Sequence, residues 1–99
     1  MAIRFSYNNF SFKQDFEEAT LVVTGEITNE SGKDFNAVLF KMTLFVKNRH
    51  LGNLSITMNG FRNGQTKTFR KSIGEAELGL GLKIATELIR YEIYPESAY

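Results

Sequence analysis

Apolar and polar residues alternate along most of this chain, most clearly between Leu21 and Val46. Successive side chains of an extended strand point to opposite faces, so each alternating stretch reads as a half-buried strand. Leu21, Val23 and Ile27 share one face with Gly25, and Val22, Thr24, Glu26 and Thr28 share the other, so the odd positions are expected to point inward. After the turn-forming Asn29-Glu30-Ser31-Gly32, a longer strand begins near Phe35 and turns Val38, Phe40, Met42, Leu44 and Val46 inward. These two stretches are a β-hairpin or the opening of a sandwich.

The first strand, within residues 3–13, changes phase: Phe5 and Tyr7 are odd positions, whereas Phe10 and Phe12 are even. A one-residue slip would carry every later side chain to the other face, so an extra residue is expected at Asn8-Asn9 as a bulge or sharp bend. Lys13 to Ala19, rich in charge and with Phe16 as its one aromatic residue, reads as the first loop, and the next strand runs from Thr20 to about Thr28. Lys47-Asn48-Arg49-His50 is turn-like, and Leu54, Ile56 and Met58 then alternate with polar residues as the second arm of a hairpin. Asn59 to Gly64 breaks this run, and Thr66 to Ile73 resumes as a strand with Phe69 and Ile73 inward.

In Gly74 to Lys83, the residues Leu78 and Leu82 have helical spacing, but Gly79 and Gly81 would each cost about 1 kcal/mol inside a helix. A loop with at most one helical turn is expected there. A last strand is expected from Ile84 to Tyr94, ended by Pro95. The pattern predicts an all-β fold, an immunoglobulin-like antiparallel β-sandwich of about seven strands, formed as one domain over residues 1–99. Its expected core is Val23, Ile27, Val38, Phe40, Met42, Leu44, Ile56, Phe69 and Tyr91. The Cys, Trp, Cys pattern of antibody domains is missing.

Composition narrows the chemistry more than the fold. Nine Phe and four Tyr against a single Pro mark an aromatic-rich folded domain. A net charge of +1 leaves no field to steer the chain to nucleic acid or an anionic membrane. The chain contains no Cys and one histidine, His50, so zinc sites and Cys/His or Ser/His/Asp nucleophile arrangements lack parts. Glu17-Glu18, Glu75 and Glu77 show no calcium-loop spacing, and Gly79-Leu80-Gly81 follows no buried parallel strand as a phosphate loop would. Lys47, Arg49 and His50, and then Arg62, Lys67, Arg70 and Lys71, are the basic clusters; they read as solvated edge residues that discourage unwanted strand pairing. No catalytic, cofactor-binding or metal-ligating residues are expected, and no cofactor.

Val23-Thr24-Gly25-Glu26-Ile27-Thr28-Asn29-Glu30-Ser31-Gly32, Val38, the Met42 to Val46 strand end, Leu51-Gly52, Gly64-Gln65-Thr66 and Phe69 together cover about half the chain. In these residues the chain resembles the FxLYD domain, a small immunoglobulin-like module of bacterial and archaeal surface or lipid-anchored proteins. In the name-giving segment Met42 stands for Phe, Phe45 for Tyr and Val46 for Asp. The resemblance implies a fold and a surface-associated setting, and no catalytic residues. Mechanically, Gly25 within a strand admits the close approach of a neighbouring group, Gly32 and Gly64 suit turns with positive φ, and Asn29 can satisfy turn amides.

The expected role is a non-enzymatic module with a structural or protein-interaction function in a cell-surface or periplasmic protein. The alternative is a carbohydrate- or peptide-ligand binding domain that uses exposed aromatics such as Phe45, Phe61, Tyr94 and Tyr99. Leu39 and Phe45, on the second face of the long strand, and Phe61 are the candidate partner-contact residues. The expected partner is another protein or a second copy, met through a sheet face or edge, with no nucleic acid and no membrane insertion of this segment. Met1 to Phe5 lacks the features of a signal peptide. An extracytoplasmic location is expected if a targeting segment was removed, and a cytoplasmic one otherwise.

Overall fold

The computed structural model of the chain describes residues 4–74 and 88–99. Six strands run through them: β1 (Phe5–Asp15), β2 (Thr20–Asn29), β3 (Phe35–Val46), β4 (Arg49–Phe61), β5 (Thr66–Gly74) and β6 (Ile89–Ala98). They form two antiparallel three-stranded sheets, ordered β1-β2-β5 and β4-β3-β6. The fold is an all-β sandwich, with six strands among the described residues where about seven were expected. Gly74 closes β5, and the expected loop over residues 75–83 lies outside the described residues.

Of the two readings of the β2–β3 segment, the sandwich holds. β2 pairs with β1 and β5, β3 pairs with β4 and β6, and the chain crosses between the sheets at residues 30–34. The side chain of Asn29, fully buried, anchors this crossing. Its Nδ2 donates to the carbonyls of Lys33 (2.8 Å) and Phe61 (3.1 Å), and its Oδ1 accepts from the amide of Ser31 (3.0 Å) and the hydroxyl of Ser31 (2.6 Å). A short amide side chain at the strand end thus joins two sheets that share no ladder hydrogen bond.

The phase change in β1 is a bulge. Asn8 pairs with Glu26 and Ser11 with Thr24, so Asn9 and Phe10 together oppose Gly25, and Asn9 takes up the extra length at φ +55°. Phe5, Tyr7, Phe10 and Phe12 consequently all pack on the core despite their mixed parity. The hairpin between β3 and β4 turns tightly at Lys47, with φ +56°. β4 is longer than the alternation predicts, since Asn59-Gly60-Phe61 continues the strand.

Leu21, Val23 and Ile27 from one sheet meet Val38, Phe40, Met42 and Leu44 from the other, all with no exposed surface. Phe40 lies centrally, 5.0 Å from the Phe5 ring centroid and edge-on to it. Two expectations for β6 are corrected. Pro95 does not end the pairing: it stands opposite Phe40, and the ladder continues through Ser97 and Ala98 past a register shift. β6 is an edge strand, where a residue without an N–H can be accommodated. Tyr91 is not core but 37% exposed: it stands on the edge strand, where its ring meets those of Phe10 (centroids 4.7 Å apart) and Phe12 (5.9 Å).

Candidate functional site

The three contact residues expected from sequence do not form one surface. Phe61 is wholly buried, with its ring 5.8 Å from Phe5 and 6.5 Å from Phe40, so it belongs to the core and offers nothing to a partner. Its parity within the Asn/Gly-rich stretch is hidden, because Gly60 at φ +63° reorients the strand end. Leu39 and Phe45 do lie on the outer face of β3, both half-buried. Lys41 and Thr43 stand between them on that face, and at the rise of an extended strand the two are roughly 20 Å apart. Phe45 is partly covered by His50, whose ring stands edge-on at 6.0 Å. His50 itself is exposed and within 3.2 Å of Asn53 Oδ1. Tyr94 and Tyr99 are exposed, as the alternative reading expected.

A different residue stands out. Phe16 in the β1–β2 turn is 67% exposed, and it lines a cleft of about 700 Å³ on the outer face of the β1-β2-β5 sheet. The turn beneath it is held by Asp15, whose Oδ1 accepts from the amides of Glu17 (3.0 Å) and Glu18 (3.2 Å), while Ala19 takes φ +53°. An Asx turn of this kind commits Asp15 to local structure and presents Phe16 and Glu17 at the rim. The sequence did carry a signal here, in the form of one aromatic residue alone in a charged turn.

The floor of the cleft follows from strand register. Ser11, Thr24 and Arg70 stand in one row across the sheet, and Lys13, Val22 and Ser72 in the next. Residues directly opposite each other share a face, so an aliphatic residue, hydroxyls and two cations converge here. Val22 is nearly buried although it faces outward, and it supplies the apolar base. Neither Lys13 nor Arg70 makes an ion pair among the described residues, where the one pair is Arg4 with Glu30 at 3.8 Å. A second hollow of about 350 Å³ adjoins the first, sharing Thr24 and Arg70 and extending towards Thr68 and Asn9. Asn9 donates to Glu26 on this face at 3.2 Å. Further along, the hydroxyls of Thr28 and Thr66 lie 2.7 Å apart.

The remaining polar groups have structural occupations. Lys67 Nζ donates to the carbonyl of Asn59, tying β5 to β4 across the sandwich. Burial raises the phenol pKa of Tyr7 above its ordinary value of 10.0. Among the described residues no group of three or more His, Cys, Asp or Glu is arranged to hold a metal ion, and no helix is long and apolar enough to cross a membrane.

No protein-family model matches the chain, and no curated protein matches it. Among solved structures, it is similar to beta-glucosidase 3B from Thermotoga neapolitana in complex with glucose, at 14% identity and a TM-score of 0.56. That match covers 77% of this chain and 11% of the other. At such low identity the likeness bears on the β-sandwich fold alone.

Proposed function

We propose that the chain is a non-enzymatic immunoglobulin-like module with a structural or protein-interaction role in a cell-surface or periplasmic protein, and that it acts by recognition at the outer face of the β1-β2-β5 sheet. The strand order supports the immunoglobulin-like type: β2 is flanked by β1 and β5, and β3 by β4 and β6, with the chain changing sheets after β2, β4 and β5. The residues shared with FxLYD domains, Val23 to Gly32 and Gly64-Gln65-Thr66, support the same assignment and the surface setting.

The observation that carries the reading is the cleft itself, lined by an exposed aromatic side chain and by two cations that make no ion pair among the described residues. Exposed apolar surface rimmed by polar groups is a common mark of a contact site. Asp15 and Glu17 at the rim oppose a polyphosphate, and this disfavours nucleic acid. The test immobilises the chain and challenges it with envelope polysaccharides and with purified envelope proteins. Retention that disappears in Phe16→Ala supports the reading. Retention of nothing, or retention indifferent to Phe16→Ala, overturns it.

A further inference from the structure

We propose that the open edge of β4 is a self-association site, where the strand pairs antiparallel with β4 of a second copy of this chain about a twofold axis at Ser55. The site lies on the other sheet from the cleft, and neither reading depends on the other.

An unpaired strand edge is a template for another strand, and folded proteins guard such edges with charge, proline or a bulge. Among the described residues the edge strands are β1 and β5 of one sheet and β4 and β6 of the other. β1 carries the bulge at Asn9 and Phe10, β5 carries Lys67, Arg70 and Lys71, and β6 carries Pro95 together with Arg90, Glu92 and Glu96. β4 has no such guard from Gly52 to Asn59. That stretch holds no charged residue and no proline, and its register with β3 runs without a shift.

The hairpin fixes which backbone groups this edge offers. Val46 pairs with Arg49 across a two-residue turn, which makes them a hydrogen-bonded pair. In steps of two along β3, Leu44, Met42 and Phe40 also turn their backbone groups to β4, where they meet Gly52, Leu54 and Ile56. The alternate residues Asn53, Ser55 and Thr57 therefore direct N–H and C=O away from β3, into the open edge. Asn59 keeps the same phase, and its carbonyl is taken by Lys67 of the other sheet. Lys67 closes the edge at that end and leaves Asn53 to Thr57 open.

This open stretch suits a copy of itself. With the axis at Ser55, Ser55 faces its counterpart and Asn53 faces Thr57, so open groups meet open groups and each pair exchanges both hydrogen bonds. Their side chains are exposed, short and uncharged, so self-pairing sets no like charges opposite each other. On the inner face Leu54 meets Ile56. A β5 edge meeting its own copy would instead gather Lys67, Arg70 and Lys71 with their counterparts. The β4 contact joins two sandwiches through one continuous sheet, and being isologous it closes at two copies.

Sedimentation velocity of the full chain over a concentration series tests the proposal, with amide hydrogen exchange as the local readout. The parent should pass from monomer to dimer as concentration rises, and the amides of Asn53, Ser55 and Thr57 should exchange more slowly over the same range. Ser55→Glu and Ser55→Lys each place like charges together at the axis and should weaken the dimer about tenfold or more. An equimolar mixture of the two should restore it, because Glu then faces Lys. Lys71→Gln, on the β5 edge, should change nothing. Ser55 is exposed, thermal midpoints close to the parent's confirm folded variants, and Glu at this position also gains Lys41 opposite it on β3. A parent that stays monomeric up to about 1 mM overturns the proposal, as does a dimer that both variants keep. Slowed exchange of the three amides only on addition of an unrelated extended peptide assigns the edge to a foreign strand and also overturns it. A mixture that stays monomeric overturns the axis at Ser55.

Discussion

Phe10 lies directly over Gly25: a β-carbon built on that glycine would sit 2.6 Å from Phe10 Cε1 and 2.9 Å from Phe69 Cε1. Asn9 and Phe10 together oppose Gly25 across the β1–β2 ladder, so the bulge that restores the phase of β1 also swings an aromatic ring onto the one position of β2 without a side chain. Phe10 and Phe69 then meet edge-on over it at 5.3 Å. Gly25→Ala should therefore cost about 1–3 kcal/mol through overpacking. Chemical denaturation of Gly25→Ala, Phe10→Ala and the double variant checks this. The double variant should be more stable than the sum of the two losses allows, because removing the ring frees the space the methyl needs.

Asn29 is expected to be the most sensitive polar position. Replacement by Ala leaves the Phe61 carbonyl, buried at the sheet crossing, without the amide that serves it. The loss should be about 3 kcal/mol, counting each buried group left unpaired at about 1–3 kcal/mol. Asn29→Asp should be no better, since a carboxylate cannot donate to the Lys33 and Phe61 carbonyls. Equilibrium unfolding midpoints at constant slope measure both.

Phe40→Ala should remove about 3–5 kcal/mol, a large part of the stability of a small domain. Its ring has no exposed surface and touches the aromatic cluster of Phe5, Tyr7 and Phe61. A melting temperature equal to that of the parent would refute its central place.

Alkaline pH should destabilise the chain partly through Tyr7. Burial disfavours its phenolate, so its pKa is higher folded than unfolded. The folded state then holds this proton more firmly, and the associated stability is complete below pH 10.0 and is lost as pH rises through the folded value. Thermal midpoints followed into the alkaline range should fall less steeply for Tyr7→Phe than for the parent. Equal slopes would show that Tyr7 does not titrate in this way.

Phe45→Asp should leave the sedimentation coefficient unchanged across a concentration series, because Leu39 and Phe45 are separated by Lys41 and Thr43 and form no continuous apolar patch. A concentration-dependent species in the parent that vanishes in Phe45→Asp would restore that face as an interface.

Alternation of residue types was sufficient to place β2, β3 and β5, the inward set Leu21, Val23, Ile27, Val38, Phe40, Met42 and Leu44, and the bulge at Asn9. These are local properties: side-chain direction in a strand depends on position parity, and a parity conflict must be absorbed where it arises. Gly25 could be read as a site of close approach, though not that Phe10 would be the group approaching. Parity names a face but not the strand beside it. Only the tertiary structure showed that β2 pairs with β5 and not β3, that Phe61 is sealed beneath Phe5 while Tyr91 at the β6 edge stays exposed, and that pairing passes Pro95. The cleft belongs to the same category. Lys13, Val22 and Arg70 come from three different strands, and they line one cleft with Phe16 because strand register sets those segments side by side on one face.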